Sequence, residues 1–349
     1  MPSGSTTYPN RTQPGDLAAV AAPSLWVGVS RPTQPEPVGV NLNDISEILK
    51  EEGSLIWLDL DSPGPAEIQC LRDEFGFHDL ALEDVVRQRQ RPKVDEYPGH
   101  YFVVLYAPLP SSEEQTVQTA EIDLFVGANY LVTVHYGEIP ALMDARTRWK
   151  KIRGDLKTKV GFLLHVVADA VIDAYFPVVE QIEEQLEEME EGMYEGRLRL
   201  RADHILHHRR SLYTLRKAIY PLREVFNTFL RRDHHVFSDD TFPYFQDAYD
   251  HVLRLLDTID VERDMATGAL EAQLSITSNQ LNETMRRLTV LAVCVAVMGA
   301  IFGAWGMNFD EVPFHSYGEA GFFMVLGGTT LALGVVLYTS HRLGLMRKQ

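Results

Sequence analysis

Residues Leu288–Phe309 read LTVLAVCVAVMGAIFGAWGMNF, 22 residues without one charged side chain. At about 1.5 Å of rise per residue, a helix of this length crosses the roughly 30 Å hydrocarbon layer of a bilayer. A second charge-free run of 20 residues, Gly321–Ser340 (GFFMVLGGTTLALGVVLYTS), meets the same test. Its glycines weaken a helix more in water than in lipid. A buried hairpin in a soluble core is the competing reading, and the two lengths argue against it. Arg286 and Arg287 precede the first run, and Arg342, Arg347 and Lys348 follow the second. The connecting loop, Asp310–Ala320, holds Asp310, Glu311 and Glu319 and no Lys or Arg. Positive flanks stay inside, so both chain termini are expected in the cytoplasm and the loop outside.

Upstream of the first span there is no proline between Pro243 and Pro313, and apolar residues recur at Val252, Leu255, Ile259, Met265, Leu270, Leu274, Leu281, Met285 and Leu288. This spacing predicts one stalk helix over 241–309 that continues into the first span at 288–309, with a break near Gly268 as the alternative. Unbroken, it would measure on the order of 95 Å and couple its two ends mechanically. Residues 151–240 are expected to form a helical hairpin, with helices near 159–189 and 197–232; the first ends in the acidic run EQIEEQLEEMEEG.

Residues 37–150 mix strand patterns at Ser54–Leu60, Tyr101–Ala107, Glu121–Val126 and Tyr130–His135 with the helical stretches AEIQCLRDEFG and DLALEDVV. The expected fold class is thus an α/β N-terminal domain, a long-helix stalk and two C-terminal transmembrane helices, at 288–309 and 321–340, joined by the loop 310–320 and followed by a basic tail, 341–349. Residues 1–36, rich in Pro, Ser, Gly and Thr, are read as a disordered tail despite the short apolar run Leu25–Val29. This tail lacks the pattern of a secretory signal, so the α/β domain is expected in the cytoplasm.

With 49 acids against 32 Lys and Arg, the net charge of −17 repels nucleic acid and attracts cations, although plain solubility accounts for an acidic surface too. Cys70 and Cys294 lie in unlike surroundings, which disfavours a disulfide or a thiolate metal site. Asp203, His204, His207 and His208, and the Asp233-His234-His235 cluster, invite a zinc reading, but solvated helix tips explain them better. The chain has no phosphate-cradling loop, HExxH or nucleophile elbow, so no enzyme activity and no cofactor are expected. A membrane-anchored enzyme and a metal sensor without a pore are the readings from other classes; ion flux through the isolated protein separates them from a transporter.

Gly306-Met307-Asn308 stands at the outer end of the first span. With it occur LEDV (Leu82–Val85), QRPKV (Gln90–Val94), YPLREV (Tyr220–Val225), YFQDAYDH (Tyr244–His251) and NETM (Asn282–Met285). In order and spacing these segments, covering about residues 40 to 349, resemble the CorA family of divalent metal cation (magnesium) transporters. The resemblance implies a funnel-shaped homopentamer in the cell inner membrane, a pore lined by the first spans, transport of Mg2+ and Co2+, and Mg2+ also as a regulatory ligand. It implies Gly306, Met307 and Asn308 as the selectivity filter, Met285 and Leu288 as an apolar gate, and Asn282 as a polar ring below it. Glu83, Asp84 and Asp247 correspond to the cytoplasmic metal site that closes the pore.

Physical chemistry supports parts of this. Two apolar helices per chain cannot enclose water alone, so several copies in contact with lipid must surround a path. Ala296, Gly299 and Gly303 share one helix face with Met285 and Leu288, where pore lining and close helix packing are equally open readings. Mg2+ sheds its inner waters reluctantly, and a ring of Asn308 carboxamides suits the hydrated ion; an Asn that merely caps the helix end is the alternative. Asp310, Glu311 and Glu319 would concentrate cations at the mouth, or simply solvate the loop. Neither span contains an acid or a base, which points to passive flow, and a potential of about 100 mV supplies roughly 4.6 kcal/mol to a divalent ion. The carboxylates of Glu83, Asp84 and Asp247 would repel across a subunit boundary unless a cation sits between them.

Three departures from the family pattern keep a second ion class open. The loop reads FDEVPF, Val297 stands near the place of a usual proline, and Gly299 replaces a common Thr. The alternative is a transporter of the same fold for Zn2+, Co2+ or Ni2+, with or without proton coupling.

Overall fold

The computed structural model describes residues 24–32, 38–39, 45–110, 116–194, 202–231, 240–305 and 317–342. The chain divides into two compact units, Met1–Gly268 and Ala269–Gln349.

The first unit is built on a seven-stranded sheet in the order β2-β1-β3-β7-β6-β5-β4. Its strands are β1 Ser24–Ser30, β2 Val38–Gly39, β3 Leu55–Asp61, β4 Lys93–Tyr97, β5 His100–Leu109, β6 Gln118–Val126 and β7 Tyr130–His135. Only β3 and β7 pair parallel; the other neighbours are antiparallel. Alternation divides each strand between two faces. On one face Ile56, Leu58 and Leu60 of β3 meet Phe102, Val104, Phe125, Val132 and Val134 and the short helices α1 Ile45–Ile48, α2 Pro65–Phe75 and α3 Asp79–Arg87. On the other, Trp57 packs edge to face on Trp149 of α4 Pro140–Lys151, with ring centroids 5.7 Å apart.

Strand β1 corrects the expectation that all of residues 1–36 form a disordered tail. Ser24–Ser30 pairs with β3 along its whole length, and Trp26 sits 5.3 Å from Trp57 and 6.2 Å from Trp149. Three aromatic rings in one cluster bury enough area to hold a strand whose flanks are rich in Pro and Ser. Gly28 makes room for them: a Cβ there would lie 2.5 Å from the Trp26 ring and 2.7 Å from that of Trp149.

The helical part comprises α5 Val160–Asp173, α6 Tyr175–Tyr194, α7 Ala202–Ile219 and α8 Leu222–Leu230. In α5, 12 of the 14 residues are buried, and the two that are not are Asp169 and Asp173. The single helix expected over 197–232 is two helices, because Pro221 offers no N–H and disfavours helical geometry at Tyr220. The helix expected over 159–189 likewise divides at Ala174. Helix α9, Phe242–Trp305, runs 64 residues through Gly268 without a break. One glycine costs a helix only about 1 kcal/mol, too little to interrupt so long a ladder. In the second unit, the last part of α9 is followed by α10 Glu319–Arg342.

Candidate membrane spans and metal sites

Among the described residues, three helical stretches are long and apolar enough to cross a membrane: Val160–Met193, Phe242–Gly303 and Glu319–Val336. Burial separates them. The first has 67% of its most apolar window inside the fold, whereas the other two have 6% and 11%. The apolar window of Val160–Met193 is therefore mostly core of the first unit, which leaves the end of α9 and α10 as the candidate spans.

The gate candidates Met285 and Leu288 are 51% and 59% exposed within the chain, and Asn282, Ala296, Gly299 and Gly303 are exposed as well. Around them Leu291, Val293, Val295 and Phe302 are equally bare, while Cys294 is buried. The hydroxyls of Thr289, Thr329, Thr330 and Thr339 each bond a carbonyl four residues back, at 2.8, 3.0, 2.7 and 2.9 Å, which satisfies them without water. Glu283 and Arg287 pair one turn apart at the inner end of the first span. Glu319 lies in the first turn of α10, where an acid suits the helix dipole. Gly306, Met307, Asn308, Asp310, Glu311 and the Asp233-His234-His235 cluster lie outside the described residues.

Of the expected regulatory acids, Glu83 and Asp84 sit on α3 and are already engaged. Glu83 pairs with Arg87 at 2.5 Å. Asp84 accepts from the Lys93 ammonium at 2.8 Å and from the Gln90 amide at 3.1 Å. Burial works against the Lys93 charge, yet its bonds to Asp84 and Asp95 outweigh that and its pKa is raised. Behind them on β6, Asp123 is buried with one oxygen unpartnered among the described residues. Burial, with added repulsion from Glu121 and Asp84, pushes its pKa up to about 8. Asp247 is exposed on α9, within electrostatic reach of His165 and Asp169 on α5.

None of these three acids belongs to the group of ligand atoms that does converge. Among the described residues, that group is Asp169, Asp173 and His251, whose donor atoms all lie within 4.8 Å of one another. Burial raises the Asp169 pKa, Asp173 adds to it and Arg148 opposes it. The Arg148 guanidinium bonds Asp169 at 3.0 Å and Asp173 at 2.7 Å, so in this conformation a cation stands there already. Asp169 and Asp173 are four residues apart on a helix whose other twelve residues are buried, a pattern visible in VVADAVID. What sequence could not supply is the packing that brings His251 of α9 to them. His204, His207 and His208 do not assemble with Asp203 into such a group, and His208 is buried with its pKa lowered mainly by that burial.

An α/β unit, one 64-residue helix and two bare apolar stretches long enough to cross a bilayer define the class of proteins with helices suited to a membrane. Residues 52–342 match the family model described as CorA-like Mg2+ transporter protein, and the chain belongs to that family. It is 33% identical over 287 residues to YfjQ of Bacillus subtilis (strain 168), covering 82% of this chain and 88% of that protein. It is 30% identical over 275 residues to the cobalt/magnesium transport protein CorA of Thermotoga maritima, covering 77% and 78%. The structure of the CorA magnesium transporter from Methanocaldococcus jannaschii superposes with a TM-score of 0.77 at 24% identity, over 91% of this chain and 97% of that one.

Proposed function

We propose that this chain forms a homopentameric channel in the cell inner membrane, with both termini cytoplasmic, through which the membrane potential drives hydrated divalent cations, chiefly Mg2+ and also Co2+. The observation that carries the reading is the contrast in burial: only 6% and 11% of the apolar windows of the two candidate spans are buried within the chain, against 67% for Val160–Met193. Apolar surface on that scale needs lipid on one side and further copies of the chain on the other.

In this arrangement Gly306, Met307 and Asn308 select the ion at the outer mouth, with Asp310, Glu311 and Glu319 gathering cations beside it. Met285 and Leu288 close the pore when apolar side chains from each copy meet, and Asn282 forms a polar ring beneath them. Ala296, Gly299 and Gly303 let the first spans approach closely. Because no Asp, Glu, Lys, Arg or His lies in 288–309 or 321–340, the driving force is electrical, with no proton relay.

Cytoplasmic Mg2+ bridges Glu83 and Asp84 of one copy to Asp247 of the next and holds the pore shut. The exposed position of Asp247, within electrostatic reach of Asp169 on α5, supports this. Uptake of Mg2+, Co2+ and Zn2+ into liposomes holding only this protein tests the reading. Mg2+ and Co2+ uptake that follows an inside-negative potential is the expected result, and Zn2+ uptake that needs a proton gradient would replace it with the zinc-type alternative.

A further inference from the structure

Helix α7, the loop from α3 to β4, and strands β5 and β6 enclose a cleft of about 760 Å3 within the first unit. Its electrostatics run against the rest of the molecule. In a chain with a net charge of −17, the cleft gathers Arg89, Arg91, Arg216 and Lys217, and the Glu121 carboxylate against its wall is taken up by the Arg89 and Gln90 backbone N–H groups and the Tyr106 hydroxyl. Arg216 is tied to Asp260 at 2.9 Å and lies over the Tyr220 ring, 5.1 Å from its centre. Among the described residues Arg89, Arg91 and Lys217 have no ion-pair partner, and all three are exposed. Three unneutralised cations facing one concavity repel each other unless an anion joins them.

The loop that carries two of them is held in an unfavourable shape. Gln88 and Arg89 both have positive φ, 54° and 66°, a region costly for residues with a Cβ. The Glu121 carboxylate maintains it by accepting the Arg89 and Gln90 backbone N–H groups, the latter at 3.2 Å, and the Tyr106 hydroxyl at 2.7 Å. The loop so held contributes Arg89 and Arg91 to the lining of the cleft. Opposite them Tyr213 is 71% exposed, and its ring has no aromatic or cation partner among the described residues. An uncovered ring beside unpaired guanidinium groups suits a ligand with a flat aromatic part and a multiply charged part.

We infer that this cleft binds a nucleoside polyphosphate, the phosphates held by Arg89, Arg91 and Lys217 and the base stacked on Tyr213. The volume falls within the roughly 300–1,000 Å3 of small-molecule sites. Chelated Mg2+ cancels part of the polyphosphate charge, so the metal-free form is the tighter ligand. None of the residues assigned to the pore or to cytoplasmic regulation lines the site, and its one link to them is the Gln90 side-chain amide, which donates to Asp84 at 3.1 Å.

The test is calorimetric titration of the purified full-length protein in detergent micelles, with excess EDTA, using ATP, inorganic triphosphate and adenosine. The expected result is ATP binding with a Kd below about 1 mM. The double variant Arg91→Glu/Lys217→Glu weakens it by about tenfold or more. Tyr213→Ala weakens ATP but leaves triphosphate unchanged. These side chains are exposed, and an unchanged apparent Tm shows that the variants fold. No ATP binding, ATP binding indifferent to the charge reversal, or triphosphate binding as tight as ATP would each overturn the assignment. So would a double variant that dissociates the oligomer with ATP affinity intact, which would make the cleft a contact between copies.

Discussion

The Lys93 ammonium lies 2.8 Å from the Asp84 carboxylate, so an acid assigned to the cytoplasmic cation is neutralised within its own chain. In the closed state proposed above, Mg2+ competes with Lys93 for that carboxylate. The Lys93→Met variant is expected to lower the internal Mg2+ concentration that halves the flux. With both side chains about a quarter exposed, the change is modest, roughly two- to fivefold. Flux measured against internal Mg2+ checks this, and an unchanged or raised midpoint would place the regulatory cation elsewhere.

Asp247 offers an exposed carboxylate with no ion-pair partner among the described residues, and its electrostatic neighbours are His165 and Asp169. Asp247→Asn preserves shape and removes the charge. The expected outcome is a channel that stays open at internal Mg2+ levels about tenfold higher than wild type, a loss typical of one carboxylate from an oxygen-ligand site. The same assay reads it, and normal closure would count against the role given to Asp247.

Stability of the α/β unit depends on a buried ion pair. The Asp59 side chain is fully buried and is paired with Arg146, with the Thr133 hydroxyl also donating to it. Arg146→Met leaves that carboxylate uncompensated and is expected to destabilise the fold by about 3 kcal/mol or more. Removing both partners, with Asp59→Leu added, is expected to restore part of the loss. Denaturant unfolding followed by tryptophan fluorescence is suited to this, since Trp26, Trp57 and Trp149 cluster beside the pair.

The buried Asp123 makes stability depend on pH. Its folded pKa, about 8, lies above its ordinary value of 3.8. Between these values the unfolded chain releases a proton that the folded chain keeps, so this group favours folding at low pH and that benefit is lost as pH rises towards 8. Asp123→Asn is expected to flatten the fall in apparent Tm between pH 5 and 8. A wild-type profile that is already flat there would show that Asp123 ionises normally.

Much of this architecture is legible in the residues themselves. The absence of proline from Pro243 to Pro313 and the recurrence of apolar residues foretell α9, and the two charge-free runs foretell the apolar stretches of α9 and α10. What escaped depends on contacts between distant segments. Leu25–Val29 is too short to outweigh its Pro-rich surroundings until Trp57 and Trp149, far along the chain, close over Trp26. His251 joins Asp169 and Asp173 only when α5 and α9 pack together. The engagement of Asp84 by Lys93 follows from α3 and β4 lying side by side, which LEDV and QRPKV as separate motifs do not disclose.

The most direct test of the channel reading is potential-driven Mg2+ flux into proteoliposomes, comparing wild type with Asn308→Ala. The account predicts rapid uptake under an inside-negative potential for wild type and near-complete loss for the variant, with both proteins assembled to the same size. No wild-type uptake at any potential, or uptake undiminished by the substitution, would contradict it.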